Sequence, residues 1–344
     1  MGLKICVTGG TGYIASWVVK KLLAGGHTVN CTVRDPENEH AQALAALSST
    51  TLVLFKADLM EEGSFDEAVA GCDYVLHMAS PFSLSTKNAE KTIIEPAVNG
   101  TKNVLSACDK AESVKRVVVT SSVGAIWGSP SDKEIRYVFS EEDWNETSDP
   151  KKDPYFLSKT MAEKAAWEVA KDKHYELTTI NPGFVMGPAA MGRVEGESAE
   201  FMKNLMNGKF AMGAPDIYFA LADVRDVAQA HINAMLAPAA AGQRHLLASE
   251  VLTIMQMARM LKEDFPRHKL PTSIANKTIL YMAAPFIGLS WEYIKKNVGA
   301  PLCINNNQSK QNLGLKYTDI KETLVDMVKD FQARGLIKKK EAAA

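Results

Sequence analysis

The stretch KICVTGGTGYIASWVVKKLLAGG, residues 4–26, decides the fold. Leu3–Thr8 is a short apolar run of the kind that forms a buried strand. A glycine-rich turn follows, and then a helical pattern whose apolar face carries Ile14, Val18, Val19, Leu22 and Leu23 until Gly25-Gly26 stops it. Glycines suit the turn because the chain reverses tightly and its backbone must approach a pyrophosphate. That phosphate then meets the free N–H groups and positive dipole of the helix N-terminus. The run reads as GxxGxxA from Gly9 or as GxGxxA from Gly10, and both spacings fit. Gly9, Thr11, Gly12, Tyr13 and Ile14 are the candidate residues of this turn.

Outward from that turn, His27–Val33 reads as the next strand and is followed at once by Arg34. An acidic residue at this strand end would accept the ribose 2′-hydroxyl of NAD, whereas an arginine suits the 2′-phosphate of NADP through paired donors. Arg34 therefore points to NADPH. A helix over Gln42–Leu47, a strand Leu52–Phe55 and a capping box Ser64–Glu67 continue the alternation. Strands Tyr74–Ala79 and Arg116–Ser121 come next, separated by a helical region that Pro96 is expected to break or kink. Strands alternating with helices imply a doubly wound parallel sheet, a Rossmann-type α/β fold. Residues 1–180 read as the nucleotide-binding domain and 181–337 as mainly substrate-binding, with a strand near 217–223 returning to the sheet. The tail 338–344 reads as frayed.

At 344 residues, 46% apolar and 23% charged, the chain has the composition of a globular protein with ample core. A net charge of −1 argues against nucleic-acid or membrane-surface binding, which needs a basic excess. The five scattered cysteines carry no metal or dithiol spacing, and Cys6 and Cys31 read as buried core thiols in a reducing compartment. The longest apolar stretch, 278–294, is cut by Pro285 and Gly288 and falls short of the ~20 residues of a membrane span. With no export signal at the N-terminus, a cytoplasmic location is expected.

Tyr155 and Lys159 stand four apart in YFLSK, one face of a helix expected to start at Asp153-Pro154, with Asp153 as cap. A lysine ammonium there is expected to lower the tyrosine pKa from about 10, so that the phenol exchanges a proton near neutrality. The same lysine is placed to hold the nicotinamide ribose. Tyr317 and Lys321 share the spacing, but only Tyr155 follows a buried strand that ends in serines, Ser121-Ser122. Open α/β sheets place ligands at that carboxyl edge. Ser122 is the candidate that orients a substrate carbonyl. Ser122, Tyr155 and Lys159 thus form the expected catalytic group.

With these residues assembled, the chain resembles the extended short-chain dehydrogenases/reductases, and within them the dihydroflavonol reductase and cinnamoyl-CoA reductase group with its yeast methylglyoxal-type reductases. The likeness runs nearly end to end: VTGGTGYIAS at 7–16, TVRDP at 32–36, VLHMASPF at 75–82, PAVNGTKNVL at 96–105, VTSSVGA at 119–125, INPGFVMGP at 180–188, DVRDVAQAH at 223–231 and NLGLKYTDIKETL at 312–324. The resemblance implies NADPH-dependent reduction of a ketone or aldehyde. It places Asp58 and Leu59 at adenine, Ala79 and Ser80 along the cofactor channel, and Pro182, Gly183 and Val185 at the nicotinamide, with Ser198 at the pyrophosphate. Asn99 would anchor a water relay. Phe82, Ile126, Phe184 and Met191 would line an apolar pocket for a small carbonyl substrate.

The chain has KDPYFLSK at 152–159 where cinnamoyl-CoA reductases keep KNWYCYGK, which weighs against a CoA ester, and Ala41 where plant members often carry lysine. Nucleotide-sugar epimerases and hydroxysteroid dehydrogenases share the fold and triad, and an NADPH-sensing protein is the non-enzymatic rival. Dehydratases place an Asp-Glu pair after the serine, where this chain has Val123 and Gly124. Oligomeric state stays open.

Overall fold

The computed structural model describes residues 2–81, 88–191, 194–287 and 289–339. The first half alternates as the sequence predicts: β1 (Lys4–Thr8), α1 (Tyr13–Ala24), β2 (Thr28–Val33), α2 (Glu39–Ala45), β3 (Leu52–Lys56), α3 (Asp66–Val69), β4 (Tyr74–His77), α4 (Glu95–Lys110) and β5 (Arg116–Thr120). Then come β6 (Val138–Phe139), α5 (Pro154–Ala170), β7 (Glu176–Pro182), β8 (Phe184–Met186), α6 (Glu197–Met206), β9 (Tyr218–Asp223) and α7 (Val224–Leu236). The last part holds β10 (Arg244–Leu247), β11 (Glu250–Thr253), α8 (Ile254–Asp264), α9 (Lys277–Ile287), α10 (Trp291–Asn297), β12 (Cys303–Ile304), α11 (Asn307–Leu313) and α12 (Ile320–Ala333).

Seven parallel strands form the main sheet in the order β10-β7-β5-β4-β1-β2-β3. Its order reverses between β1 and β4, and in open α/β sheets ligands sit in the crevice beyond the strand ends at that switch. On one face Val18, Val19 and Leu22 of α1 pack with Ala228, Ala234 and Met235 of α7. On the other, Val104, Leu105 and Cys108 of α4 meet Ala166 of α5. Burying each of the valine, leucine and methionine side chains stabilises the fold by roughly 1.5–3 kcal/mol. Cys6 and Cys31 lie wholly inside these cores.

Several local expectations change. The strand expected near 217–223 exists as β9, but it pairs with β8 and β11 in a separate three-stranded sheet. Pro182 has no N–H to extend the ladder, and beyond it the chain turns out of the main sheet. The strand that closes the main sheet is β10, paired with β7. Ser64 caps no helix: its hydroxyl donates to Asp58 O at 2.8 Å and accepts from Asp58 N at 3.2 Å, closing a loop, and α3 starts two residues later. Asp153 precedes α5 without a side-chain cap bond. Pro96 breaks nothing, because it stands at the second position of α4, where no intrahelical N–H is needed, after a π-helical turn over Glu90–Ile94. A second core of Met186, Met202, Leu205, Leu221, Leu261 and Phe331 lies around α6, α8 and α12.

Candidate functional site

The site begins where β1 and β4 end. Thr8 Oγ1 accepts from the N–H groups of Met78 and Ala79, both at 3.0 Å, and pairs with His77 Nδ1 at 2.9 Å. One hydroxyl therefore holds the segment after β4 against the glycine turn. Gly9 adopts φ +70°, and a Cβ there would lie 2.9 Å from Ala79 Cα. Gly10 faces the other way: its Cβ would stand 1.9 Å from Cys31 Sγ on β2. Gly12 is the N-cap of α1 and donates to Gly9 O at 2.9 Å. Gly9 and Gly12 shape the ligand-facing turn, and Gly10 is a packing glycine, which the two possible spacings left open.

A cavity of about 490 Å³ opens against this turn. Gly9, Thr11, Gly12 and Tyr13 line one side; Arg34, Asp58 and Leu59 the far end; Ala79 and Ser80 the near wall. Ile14 does not line it and packs against the core instead. Gly12 gives α1 no side-chain cap, so the first-turn N–H groups stay free for an anion. Arg34 is exposed at the rim and makes no hydrogen bond or ion pair with a described residue. The neighbouring Asp35 carboxylate is turned onto its own loop, accepting from Glu37 N at 3.0 Å. An uncapped helix N-terminus and an unpaired guanidinium in one cavity fit a dinucleotide with an additional phosphate.

A second cavity, about 640 Å³, adjoins the first: Pro81 lines both, and the chain over 195–198 passes from one to the other. Ser122 and Tyr155 face it, among Trp127, Phe156, Phe184, Phe219 and Tyr293. Pro154 starts α5, so Tyr155 projects from its first turn and Lys159 from the next, inward. Ser122 follows β5, and its Oγ accepts from Gly124 N at 3.1 Å. Lys159 is buried, donates to Ser80 Oγ at 2.9 Å, and has its Nζ 5.8 Å from the Tyr155 ring centre. Burial holds the Lys159 ammonium down at about 8, with Glu163 acting in the opposite sense. The Tyr155 phenol is pushed up to about 12, first by burial and then by the Glu197 carboxylate, while a hydrogen bond with Ser122 pulls it down. Tyr155 as a whole is 41% exposed, which moderates the burial contribution. The expected lowering does not prevail in this pocket, where burial and the Glu197 carboxylate dominate the phenol.

Other sequence-derived positions fall elsewhere. Gly183, Phe184, Val185 and Ser198 line the second cavity, so Ser198 stands outside the lining of the nucleotide cavity where the pyrophosphate was expected. Glu195 and Gly196 flank the nucleotide cavity instead. Pro182 is buried at the end of β7. Ile126 belongs to a core cluster with Phe139 and Leu246, and its neighbours Val123 and Trp127 face the cleft. Met191 packs against the sheet core. Asn99 is on the exposed side of α4, whereas Ala97 and Thr101 face the space beside Lys159. Phe82 lies outside the described residues. Tyr317, the other tyrosine of that spacing, bonds Ser309 Oγ at 2.8 Å against the core, and Lys321 pairs with Glu263. Tyr293 and Glu197 were missed, since a lone residue in a loosely patterned region carries no periodic signal. Among the described residues no group of side chains suits a metal ion, and no helix is long and apolar enough to cross a membrane.

Comparison with known proteins agrees with this geometry. Residues 5–248 match the model of the NAD dependent epimerase/dehydratase family. Cinnamoyl-CoA reductase CAD2 of Medicago truncatula is 37% identical, over 97% of each chain. A putative anthocyanidin reductase of Ginkgo biloba is 40% identical over 78% of this chain and 82% of its own length. The crystal structure of yeast methylglyoxal/isovaleraldehyde reductase Gre2 complexed with NADPH superposes with a TM-score of 0.80 at 28% identity, covering 97% of this chain and all of that one. The switch-point cavity, the glycine turn and these relatives together make the chain a member of the NAD dependent epimerase/dehydratase family, in the extended short-chain dehydrogenase/reductase group, and an NAD(P)-dependent reductase.

Proposed function

We propose that the chain is an NADPH-dependent carbonyl reductase that converts a neutral aldehyde or ketone to the alcohol with Ser122, Tyr155 and Lys159. The observation that carries this reading is that Ser122 and Tyr155 face one aromatic-walled cleft where it meets the nucleotide cavity. NADPH, when bound, supplies hydride to the carbonyl carbon. Arg34 holds the 2′-phosphate and the α1 N-terminus the pyrophosphate. In the cleft, Ser122 and Tyr155 grip the carbonyl oxygen, and hydrogen bonds aimed at that oxygen strengthen as negative charge develops on it. Tyr155 gives its proton to the oxygen as the alcohol forms. Lys159 holds the nicotinamide ribose and, as a cation beside Tyr155, favours the phenolate that remains.

The walls Trp127, Phe156, Phe184, Phe219 and Tyr293 suit an aromatic or apolar body of moderate size. The cinnamoyl-CoA and methylglyoxal/isovaleraldehyde reductases among the relatives support carbonyl chemistry of this class. Position 123 is valine and 124 glycine, so no carboxyl pair follows Ser122 to support a dehydration.

The test is loss of reduced-nicotinamide absorbance with NADPH or NADH against aldehydes, α-ketoesters, diketones and a dihydroflavonol. Turnover is expected with NADPH, falling ~10²–10⁴-fold in Tyr155→Phe while NADPH binding persists. NADPH binding with no turnover on any carbonyl would overturn the reading.

A further inference from the structure

Behind the catalytic face, α5 carries a carboxylate that none of the chemistry above uses. Glu163 stands one helical turn beyond Lys159 and two beyond Tyr155, and it is wholly buried. Its two oxygens bind four separate positions on the sheet. Ser121 Oγ at the end of β5 donates to it at 2.5 Å. Thr179 Oγ1 and Asn181 Nδ2 of β7 donate at 3.1 and 2.7 Å. Arg244 Nε of β10 donates at 2.6 Å. Asn181 also donates to Ser122 O at 3.1 Å, so the catalytic serine is tied to the same node through its backbone.

Arg244 has further anchors. It donates to Glu141 O, Asp143 O and Ala125 O and lies 3.8 Å over the Trp144 ring, fastening the segment that leads from Ser122 to α5. Glu163 and Lys159 also face one small cavity of about 20 Å³ between α4, α5 and the sheet.

A charge this far from water is felt strongly by its neighbours, because little solvent screens it. The groups facing Lys159 are few. On α5 itself they are Tyr155 and Glu163; from β4 His77, kept neutral by burial; from the following segment Ser80; and from β5 Thr120 and Ser121. The face of α4 contributes only Ala97 and Thr101, and its charged Glu95 and Lys102, like Glu90 and Lys91 of the π turn, are exposed. Glu163 is thus the one carboxylate facing Lys159 among the described residues, and it acts against the burial that drives the ammonium toward neutrality.

We propose that Glu163 is a positioning residue: it holds Ser122 and the α5 pair in register and keeps Lys159 charged through the working pH range. It touches neither substrate nor cofactor; it acts through Lys159 and Asn181. This inference rests on the reductase reading above for its kinetic readout but not for its binding readout.

The experiment measures two profiles from pH 5.5 to 10 on the full chain. One is NADPH affinity, and the other is kcat/KM at saturating NADPH with the best aldehyde of the substrate panel. In Glu163→Gln the carboxylate charge is gone, so Lys159 loses its proton at lower pH. The alkaline fall of both profiles is expected to move down by about one pH unit. Activity relative to wild type should then drop several-fold more at pH 9 than at pH 6.

Because Glu163→Gln leaves Arg244 buried without its partner, a second variant, Glu163→Gln with Arg244→Gln, removes both charges and should show the same displacement. Glu163→Asp, which keeps the charge, should restore the alkaline limb even with a lower kcat. A uniform loss at every pH, or wild-type profiles in the folded double variant, would overturn the proposal. Full turnover by Tyr155→Phe would sink the reductase reading alone, since the NADPH profile still reports on Lys159.

Discussion

At the residue scale, the proposed preference for NADPH turns on Arg34. Its guanidinium has no partner among the described residues, while the adjacent Asp35 is occupied with its own loop. Arg34→Ala is therefore expected to weaken NADPH binding ~10–100-fold and leave NADH nearly unchanged, since a charge-assisted phosphate contact contributes about 1.5–3 kcal/mol. Dissociation constants from fluorescence titration of both cofactors check this; an equal change for both would place the 2′-phosphate elsewhere. Arg34 is also the most legible residue of the site, because it directly follows the second strand. The placement of Ser122, Tyr155 and Lys159 was legible for a similar reason: each sits at a strand end or on one helix face, so sequence spacing translates directly into proximity.

At the element scale, the turn between β1 and α1 works only if α1 can settle onto β2. Gly10 makes that contact, with no room for a Cβ against Cys31 Sγ. Gly10→Ala is expected to cost about 1–3 kcal/mol of stability through overpacking and to displace the neighbouring Gly9 and Gly12, weakening NADPH binding as well. Thermal melting with and without NADPH measures both effects. Cys31→Ala in the same chain should recover part of the loss, because it removes the obstructing sulfur. The second element that matters is α5, whose first two turns present the proposed catalytic pair and whose third carries Glu163. Its helical spacing was readable, but what Glu163 meets was not. Thr179, Asn181 and Arg244 come from β7 and β10, which approach α5 only after the sheet is assembled.

At the scale of the whole molecule, three buried histidines make the fold sensitive to acid. Burial lowers the pKa of His77 to about 3 and those of His231 and His245 to about 4, and all three are held neutral by hydrogen-bonded surroundings. Unfolded, each takes up a proton near pH 6.5. Their folded values are depressed, so the stability they contribute is present above pH 6.5 and is lost as pH falls toward 4. Each loses about 1.4 kcal/mol per pH unit in that window, or about 4 kcal/mol for the three between pH 7 and pH 5.5. Urea denaturation at the two pH values is expected to show that difference; equal midpoints would mean that none of the three rings stays neutral in the fold.

The sequence by itself determined the parallel α/β architecture and the glycine turn, and it pointed to Arg34 and to the proposed catalytic group. All of these are written in short-range order: an apolar run, a turn without side chains, a charge at a strand end, two residues one helical turn apart. The family resemblance added Asp58, Leu59, Ala79 and Ser80, which line the nucleotide cavity. Only the tertiary structure decided the rest. It assigned Gly10 to packing, sent β9 to a separate sheet with β8 and β11, closed the main sheet with β10 and placed Ser198 on the second cavity. It also brought Tyr293 to the cleft and Glu163 to Arg244. These depend on contacts between segments tens to more than a hundred residues apart, and local spacing carries no information about which distant segments a folded sheet brings together.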